Sequence, residues 1–309
     1  MTALDETLYA EARPLLFGIA YRMLGSAQEA EDVTQEAFLR LERAAREEEV
    51  RAPKAYLTTV ATRLCIDRLR SARARREQYF GTWLPEPIVV DEELEAVTEA
   101  DAADSADSLS LAFLVLLESL NPIERAVFLL REVFDYDYGE IARIVGKRED
   151  NVRQIAARAR RRVEERRPRF ETSRQERDRL AERFFAAATT NDPEALAEIL
   201  APDVVFYGDG GGKVRGAIPR PVFGRERVTR LLLGFARIGA ELSLSMRLAR
   251  VNGQPGAVFF NPDGSPYSVL SLDVADGAVT AVRSVVNPDK LRHISPRQEP
   301  RRPGEPLTS

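Results

Sequence analysis

Arg153, Gln154 and Arg158 lie within one and a half helical turns of one another, with Ala157 between them, in the run YGEIARIVGKREDNVRQIAARARRRV (138–163). Guanidinium forks match the O6/N7 edge of guanine, a carboxamide matches adenine, and a small residue lets a helix approach the bases. The set therefore suits an α-helix lying in a DNA major groove. Such a helix needs a second, apolar face to hold it. At about 100° per residue, Val152, Ile155, Ala156, Ala159 and Val163 form that stripe. Arg161 shares the polar arc with Gln154 and Ala157, flanked by Arg153, Arg158 and Arg160. A preceding helix is expected over 138–145, with Ile141, Ile144 and Val145 inward. Gly146 permits the left-handed residue that ends it, and the second helix should begin near Glu149. This is a helix-turn-helix. An ordinary amphipathic helix with a solvated arginine face has the same pattern, so the surroundings must decide.

Charge distribution favours the nucleic-acid reading. The net charge of −4 alone argues against it. However, residues 81–110 hold nine acids and no Lys or Arg, while 147–169 hold ten bases against four acids. A second basic run, RLRSARARR, spans Arg68–Arg76. Two basic segments separated by an acidic stretch fit two DNA-contacting modules joined by a tether. With 309 residues, 44% hydrophobic, the chain has material for two or three domains. One cysteine (Cys65) and one histidine (His293) leave no internal disulfide and little scope for a metal cluster or histidine catalysis. No apolar run approaches the length of a membrane span, and the first residues lack a secretory pattern. A cytoplasmic protein without metal or cofactor is expected.

Five stretches follow from periodicity and composition. Residues 5–80 read as helical, with a stripe of Leu15, Leu16, Ile19, Ala20, Met23 and Leu24 ending at Gly25. Ser26 and Glu29 form a capping box for the next helix, and Pro53 opens a third. Residues 81–107 read as an acidic linker carrying the lone Trp83. Residues 108–167 form a second helical module, in which Asn121-Pro122 with Glu124 starts a helix before the helix-turn-helix. Residues 176–292 read as α+β. Helices over 180–188, 193–200 and 225–237 accompany strands at 203–209, 241–250, 256–261, 267–274 and 278–286, with hairpin turns at Asn252-Gly253 and Asp276-Gly277. A curved antiparallel sheet is expected. Residues 293–309, with four prolines, read as a disordered tail.

AYRMLGSAQEAEDVTQEAFLRL (20–41) resembles the second region of bacterial RNA polymerase sigma factors, and 120–163 resembles their fourth region. With only these two, the chain resembles the extracytoplasmic-function (ECF) type. Its C-terminal part resembles the SnoaL-like, cystatin/NTF2-like cone. WLPEP (83–87), DGGGK (209–213) and NPDKL (287–291) match an ECF subgroup with that extension. The resemblance implies a multidomain protein: two all-α sigma domains, the second with the helix-turn-helix, plus the α+β domain. It implies core RNA polymerase, through its β′ clamp helices and β flap, and promoter DNA as partners, and no membrane.

By the same resemblance, Glu31, Asp32, Gln35, Glu36 and Phe38 would dock on polymerase. Lys54, Tyr56, Arg63, Asp67, Arg68 and Arg70 would melt and read the minus-ten element, although ECF factors often have Asn where Arg63 stands. Arg148, Asn151, Arg153, Gln154, Ala157 and Arg158 would read the minus-thirty-five element. A regulatory interdomain contact would join Trp83, Leu84, Pro85, Glu86 and Pro87 to Asp209, Gly210, Gly211, Gly212 and Lys213 and to Asn287, Pro288, Asp289, Lys290 and Leu291, with Lys213 and Lys290 meeting acids such as Glu86. SnoaL-like folds include enzymes, and Tyr207, Asp209, Asp203 and Lys213 could be cast as a site. The three glycines of DGGGK make a turn rather than a rigid catalytic shelf, so no catalytic residue is expected. A small-molecule ligand of the domain, or a purely intramolecular regulatory surface, are the other roles. The competing whole-chain reading is a SnoaL-type enzyme or sensor fused to an ordinary DNA-binding regulator.

Overall fold

The computed structural model describes residues 3–47, 49–77, 79–90, 108–165, 172–214 and 216–295. The expected linker beyond Val90 and most of the expected tail lie outside them. The chain divides into two compact units, 1–88 with 98–169, and 89–97 with 170–309.

The first unit is helical. α1 (Ala3–Leu24), α2 (Ala27–Glu47) and α3 (Pro53–Glu77) bury the expected stripes, including Leu16, Ile19 and Met23 on α1 and Ala30, Val33, Ala37 and Leu41 on α2. Gly25 ends α1 at φ 68°. On α3 the fully buried line runs through Leu57, Ala61, Cys65 and Leu69, with Tyr56, Val60 and Leu64 only partly covered. Cys65 is a core residue whose thiol pKa burial pushes up, so it stays protonated. α4 (Leu111–Leu117), α5 (Pro122–Glu132), α6 (Tyr138–Val145) and α7 (Glu149–Glu164) follow. Asn121 and Glu124 make the expected capping box on α5, and Asp137 with Glu140 makes a second one on α6.

Residues 5–80 and 108–167, expected as separate modules, here share one hydrophobic core. Two buried arginines sit at their junction. Arg125 donates to the Met23 carbonyl at 2.6 Å and to Glu118 at 2.8 Å. Arg22 donates to Ser108 at 3.0 Å and lies over the Phe134 ring at 5.4 Å; burial lowers its pKa to about 10.

WLPEP belongs to this first unit. Leu84 is fully buried, and the Tyr21 hydroxyl donates to the Glu86 carbonyl at 2.7 Å. The Glu86 carboxylate sits on the N-terminus of α2: it accepts from Ser26 Oγ at 2.8 Å, Ala27 N at 2.8 Å and Gln28 N at 3.2 Å. The Trp83 ring lies against Gly25, where a Cβ would come within 2.7 Å of it. Glu86, expected to meet Lys213 or Lys290, is thus engaged within the first unit. A helix N-terminus presents fixed, unsatisfied N–H groups and a positive dipole end, and both lysines have acids of their own.

The second unit is α+β. α8 (Arg174–Thr189), α9 (Pro193–Ile199) and α10 (Arg225–Glu241) accompany a seven-stranded sheet of order β1-β4-β5-β6-β7-β2-β3. Its strands are β1 (Val89–Val90), β2 (Leu200–Asp209), β3 (Val222–Phe223), β4 (Ser245–Val251), β5 (Gln254–Phe260), β6 (Pro266–Ala275) and β7 (Ala278–Val285). The hairpins turn where expected: Asn252 and Gly253 have φ 54° and 73°, and Asp276 and Gly277 have 51° and 71°. Three features differ from expectation. β2 pairs β7 in parallel, so the sheet is mixed. Val89–Val90 is not tether but a strand antiparallel to β4. α10 continues to Glu241, and Ser243 at φ 54° turns the chain before β4 begins at Ser245. Among the described residues, no helix is long and apolar enough to cross a membrane.

The Glu86 carboxylate should carry the stability of an N-cap. Glu86→Ala is expected to cost about 0.5–2 kcal/mol in thermal unfolding. Gly25→Ala should cost about 1–2 kcal/mol for its left-handed backbone and shift Trp83 emission to the red, because the new Cβ displaces the ring. Wild-type melting and emission in both variants would contradict this packing.

Candidate nucleic-acid interface

The helix-turn-helix forms as its residues dictate. On α7, Val152, Ile155, Ala156, Ala159 and Val163 are buried. Ile141, Ala142 and Ile144 of α6 are buried too, and Gly146 at φ 67° makes the turn. That seam leaves Asn151, Arg153, Gln154, Ala157 and Arg158 exposed together, with Arg148 as the N-cap. Arg153 is pre-positioned: its guanidinium lies 4.5 Å from the centre of the Tyr138 ring and bonds Glu149 at 2.5 Å. Tyr138 was not expected here. Its signal is its place as the first residue of α6, where an aromatic face can carry a cation. Arg148 pairs loosely with Asp150 at 3.6 Å.

The candidate minus-ten residues line α3, and several are engaged within the chain. Lys54 pairs with Glu11 at 2.6 Å, Arg70 with Asp67 at 3.3 Å, and Arg68 donates to the Glu29 carbonyl at 3.1 Å. Tyr56 is half-buried. Arg63 departs most from its expected role. It donates to the carbonyls of Ile144 at 2.9 Å and Arg143 at 3.1 Å, capping the C-terminus of α6. A helix C-terminus offers unsatisfied carbonyls and the negative dipole end, and a guanidinium fork satisfies both.

On α2, Asp32 and Gln35 are exposed. Glu31 accepts Arg13 Nη2 on both oxygens at 3.0 Å. The hydrogen bond from Arg40 holds the Glu36 carboxyl below its usual range. Phe38 is half-buried against Tyr9, ring centres 4.7 Å apart. Leu39 is 46% exposed beside this acidic face. Sequence reasoning passed over it because it lies off the core stripe.

DGGGK and NPDKL join each other within the second unit. Lys290, buried, donates to Asp209 Oδ2 at 2.7 Å, and Asp209 Oδ1 accepts from Gly211 N at 3.1 Å. The Asp209 carbonyl accepts from Val286 and Asn287 at 2.9 and 3.0 Å. Lys213 pairs with Asp289 and holds that carboxyl below its usual range. A Cβ at Gly210 would collide with Ala217, so the turn requires glycine there. Gly212 at φ 70° continues the turn; Pro288 starts the short 3-10 turn that follows, and Leu291 is buried behind it.

Comparison with known proteins fits this arrangement. Residues 8–75 match the sigma-70 region 2 model and 110–163 the sigma-70 region 4 model. The ECF RNA polymerase sigma factor SigJ of Mycobacterium tuberculosis is 37% identical over 288 residues, covering 90% of both chains. The chain belongs to the ECF RNA polymerase sigma factors. A second such sigma factor of that organism, the probable ECF factor SigI, is 32% identical over 283 residues, covering 90% of this chain and 92% of its own. The crystal structure of SigJ superposes with a TM-score of 0.73 at 34% identity, over 92% of this chain and 97% of that one. The C-terminal α+β unit is thus carried on a sigma factor.

Arg153→Ala and Arg158→Ala should each weaken promoter binding by about 1–3 kcal/mol and relax base preference in the upstream element. Arg160→Ala, away from the centre of the face, should weaken binding evenly across sequences and lower its salt dependence. Affinity measured at fixed salt on promoters mutated base by base distinguishes the two.

Proposed function

We propose that this sigma factor binds core RNA polymerase and directs initiation from a dedicated promoter. The α7 surface reads the minus-thirty-five element, α3 acts at the minus-ten element, and the acidic face of α2 around Asp32, Gln35 and Leu39 docks on polymerase. The observation that carries the reading is the α7 helix, whose buried Val152–Ile155–Ala159 seam leaves Arg153, Gln154, Ala157 and Arg158 as one exposed surface. The C-terminal unit acts as a regulator in cis and performs no reaction. Of Tyr207, Asp209, Asp203 and Lys213, the first two engage neighbouring side chains, which supports that role. Tyr207 faces Arg283 at 4.7 Å and Asp209 is tied to Lys290.

The free protein holds its two DNA-reading helices in a closed relation. Arg63 is spent on the α6 carbonyls, and Arg22 and Arg125 are buried at the junction. Loading on polymerase opens this junction and frees Arg63. The SnoaL-like domain biases that opening through the linker, whose Val89–Val90 strand it holds in its sheet.

Purified chain should co-elute with core polymerase in size-exclusion chromatography and support transcription from a cognate promoter. Core enzyme that retains none of the protein would contradict the assignment. Removing everything after about residue 175 should change transcription several-fold, because β1 loses its partner strand. Asp32→Lys with Gln35→Lys should abolish co-elution while leaving the melting temperature unchanged.

A further inference from the structure

We propose that Tyr138 and Glu149 are positioning residues that hold the Arg153 guanidinium for one guanine, given that α7 is the helix that meets the minus-thirty-five element. Base preference at that position is then set from α5 and α6 as well as from α7.

Three helices converge on the two side chains. Tyr138 is the first residue of α6 and Glu149 the first of α7. The guanidinium carbon of Arg153 lies 4.5 Å from the centre of the Tyr138 ring, and that of Arg131, on α5, lies 5.1 Å from the same ring. Arg131 is itself pinned: its Nη1 donates to the Tyr136 carbonyl at 2.9 Å and to Asp135 at 3.4 Å. The ring is thus held against a fixed cation on α5 while it carries the one on α7. Arg153 Nη2 donates to Glu149 Oε1 at 2.5 Å. The other oxygen of that carboxylate lies against the first turn of α6, where a Cβ on Gly139 would come within 3.5 Å of it. A negative charge there meets the positive end of the α6 dipole as well as the arginine. Arg153 is therefore held on two sides, by a ring and by a carboxylate, and each of these is anchored outside the exposed surface of α7.

The freedom of an arginine is what this clamp removes. A guanidinium on a flexible stem reaches a phosphate as readily as a base edge, and a phosphate contact carries no sequence information. Fixing the fork when the protein folds withdraws that choice, together with the rotamer entropy that binding would otherwise cost. A guanidinium has five N–H groups. The Glu149 bond engages one of them and leaves a pair for guanine O6 and N7. Opposite adenine, the N6 amino group would face an N–H that cannot turn away. The clamp thus acts on discrimination more than on total affinity.

The test uses holoenzyme, the full chain on core RNA polymerase, and measures affinity at fixed salt for a cognate promoter substituted base by base in its upstream element. Arg153→Ala locates the position that this residue reads. Tyr138→Leu should lower the preference for guanine there by about two- to fivefold and leave the other positions as in wild type. In the double variant with Arg153→Ala it should add nothing. Tyr138→Phe keeps the ring and should keep the wild-type preference, which separates the ring from the hydroxyl. Glu149→Ala, at an exposed position, should lower the same preference at least twofold, and it decides the matter if Tyr138→Leu does not fold. A uniform loss at every position, an unchanged guanine preference in folded Tyr138→Leu or in Glu149→Ala, or a loss additive with that of Arg153→Ala would overturn the proposal. If Arg153→Ala itself leaves every base preference unchanged, the assignment of α7 fails and the positioning role with it. If Arg153→Ala alone acts, the assignment of α7 stands and only the positioning role fails.

Discussion

Burial of the Arg125 guanidinium is the constraint on which the first unit turns. An arginine taken out of water must find acceptors at fixed positions, since it cannot shed its proton. Here those acceptors come from two places: the Met23 carbonyl at the end of α1, and Glu118 beside α4. By reaching both the Met23 carbonyl and Glu118, Arg125 ties the two helical modules to one another. Arg22 repeats the arrangement in reverse, reaching from α1 to Ser108 and Phe134. Apolar contact supplies most of the adhesion, but these two guanidiniums specify the register in which the modules meet. A polar junction of this kind separates more readily than a purely apolar one, because water can take over its hydrogen bonds once it opens.

The second unit solves a different problem. A sheet with helices on one side must place its charges where they can be met. Its strands put the ionic pairs on alternate positions from the uncharged residues of the concave face. DGGGK and NPDKL sit where the parallel pair β2 and β7 both end, and their ion pairs close that end of the sheet. The motifs therefore work on each other.

Legibility in the sequence followed locality. The α7 stripe could be read residue by residue, because helical periodicity places Val152, Ile155, Ala156, Ala159 and Val163 together without outside help. Asn121 with Glu124 and the Asn-Gly and Asp-Gly turns were equally plain. Long-range partners were not. Glu86 carries no mark that distinguishes the amides of Ala27 and Gln28 from the ammonium of Lys213. Arg63 looks like a DNA contact until α6 brings its carbonyls to it. The parallel join of β2 to β7 spans a helix and four strands, and nothing local announces it. ELSL (241–244) alternates like a strand, but α10 runs on to Glu241 and Ser243 at φ 54° turns the chain before β4.

The seat of Glu86 on α2 moves the working boundary of the first helical module. Composition places that boundary near residue 80, where the basic run gives way to acid and proline. A fragment cut there would carry α2 with its first amides bare, Tyr21 without its acceptor and Gly25 without its covering ring. A fragment ending at Ile88 would bring its own cap. Anyone dividing this protein into parts, or grafting α2 onto another protein, must therefore carry eight further residues that look like linker and behave as part of the fold.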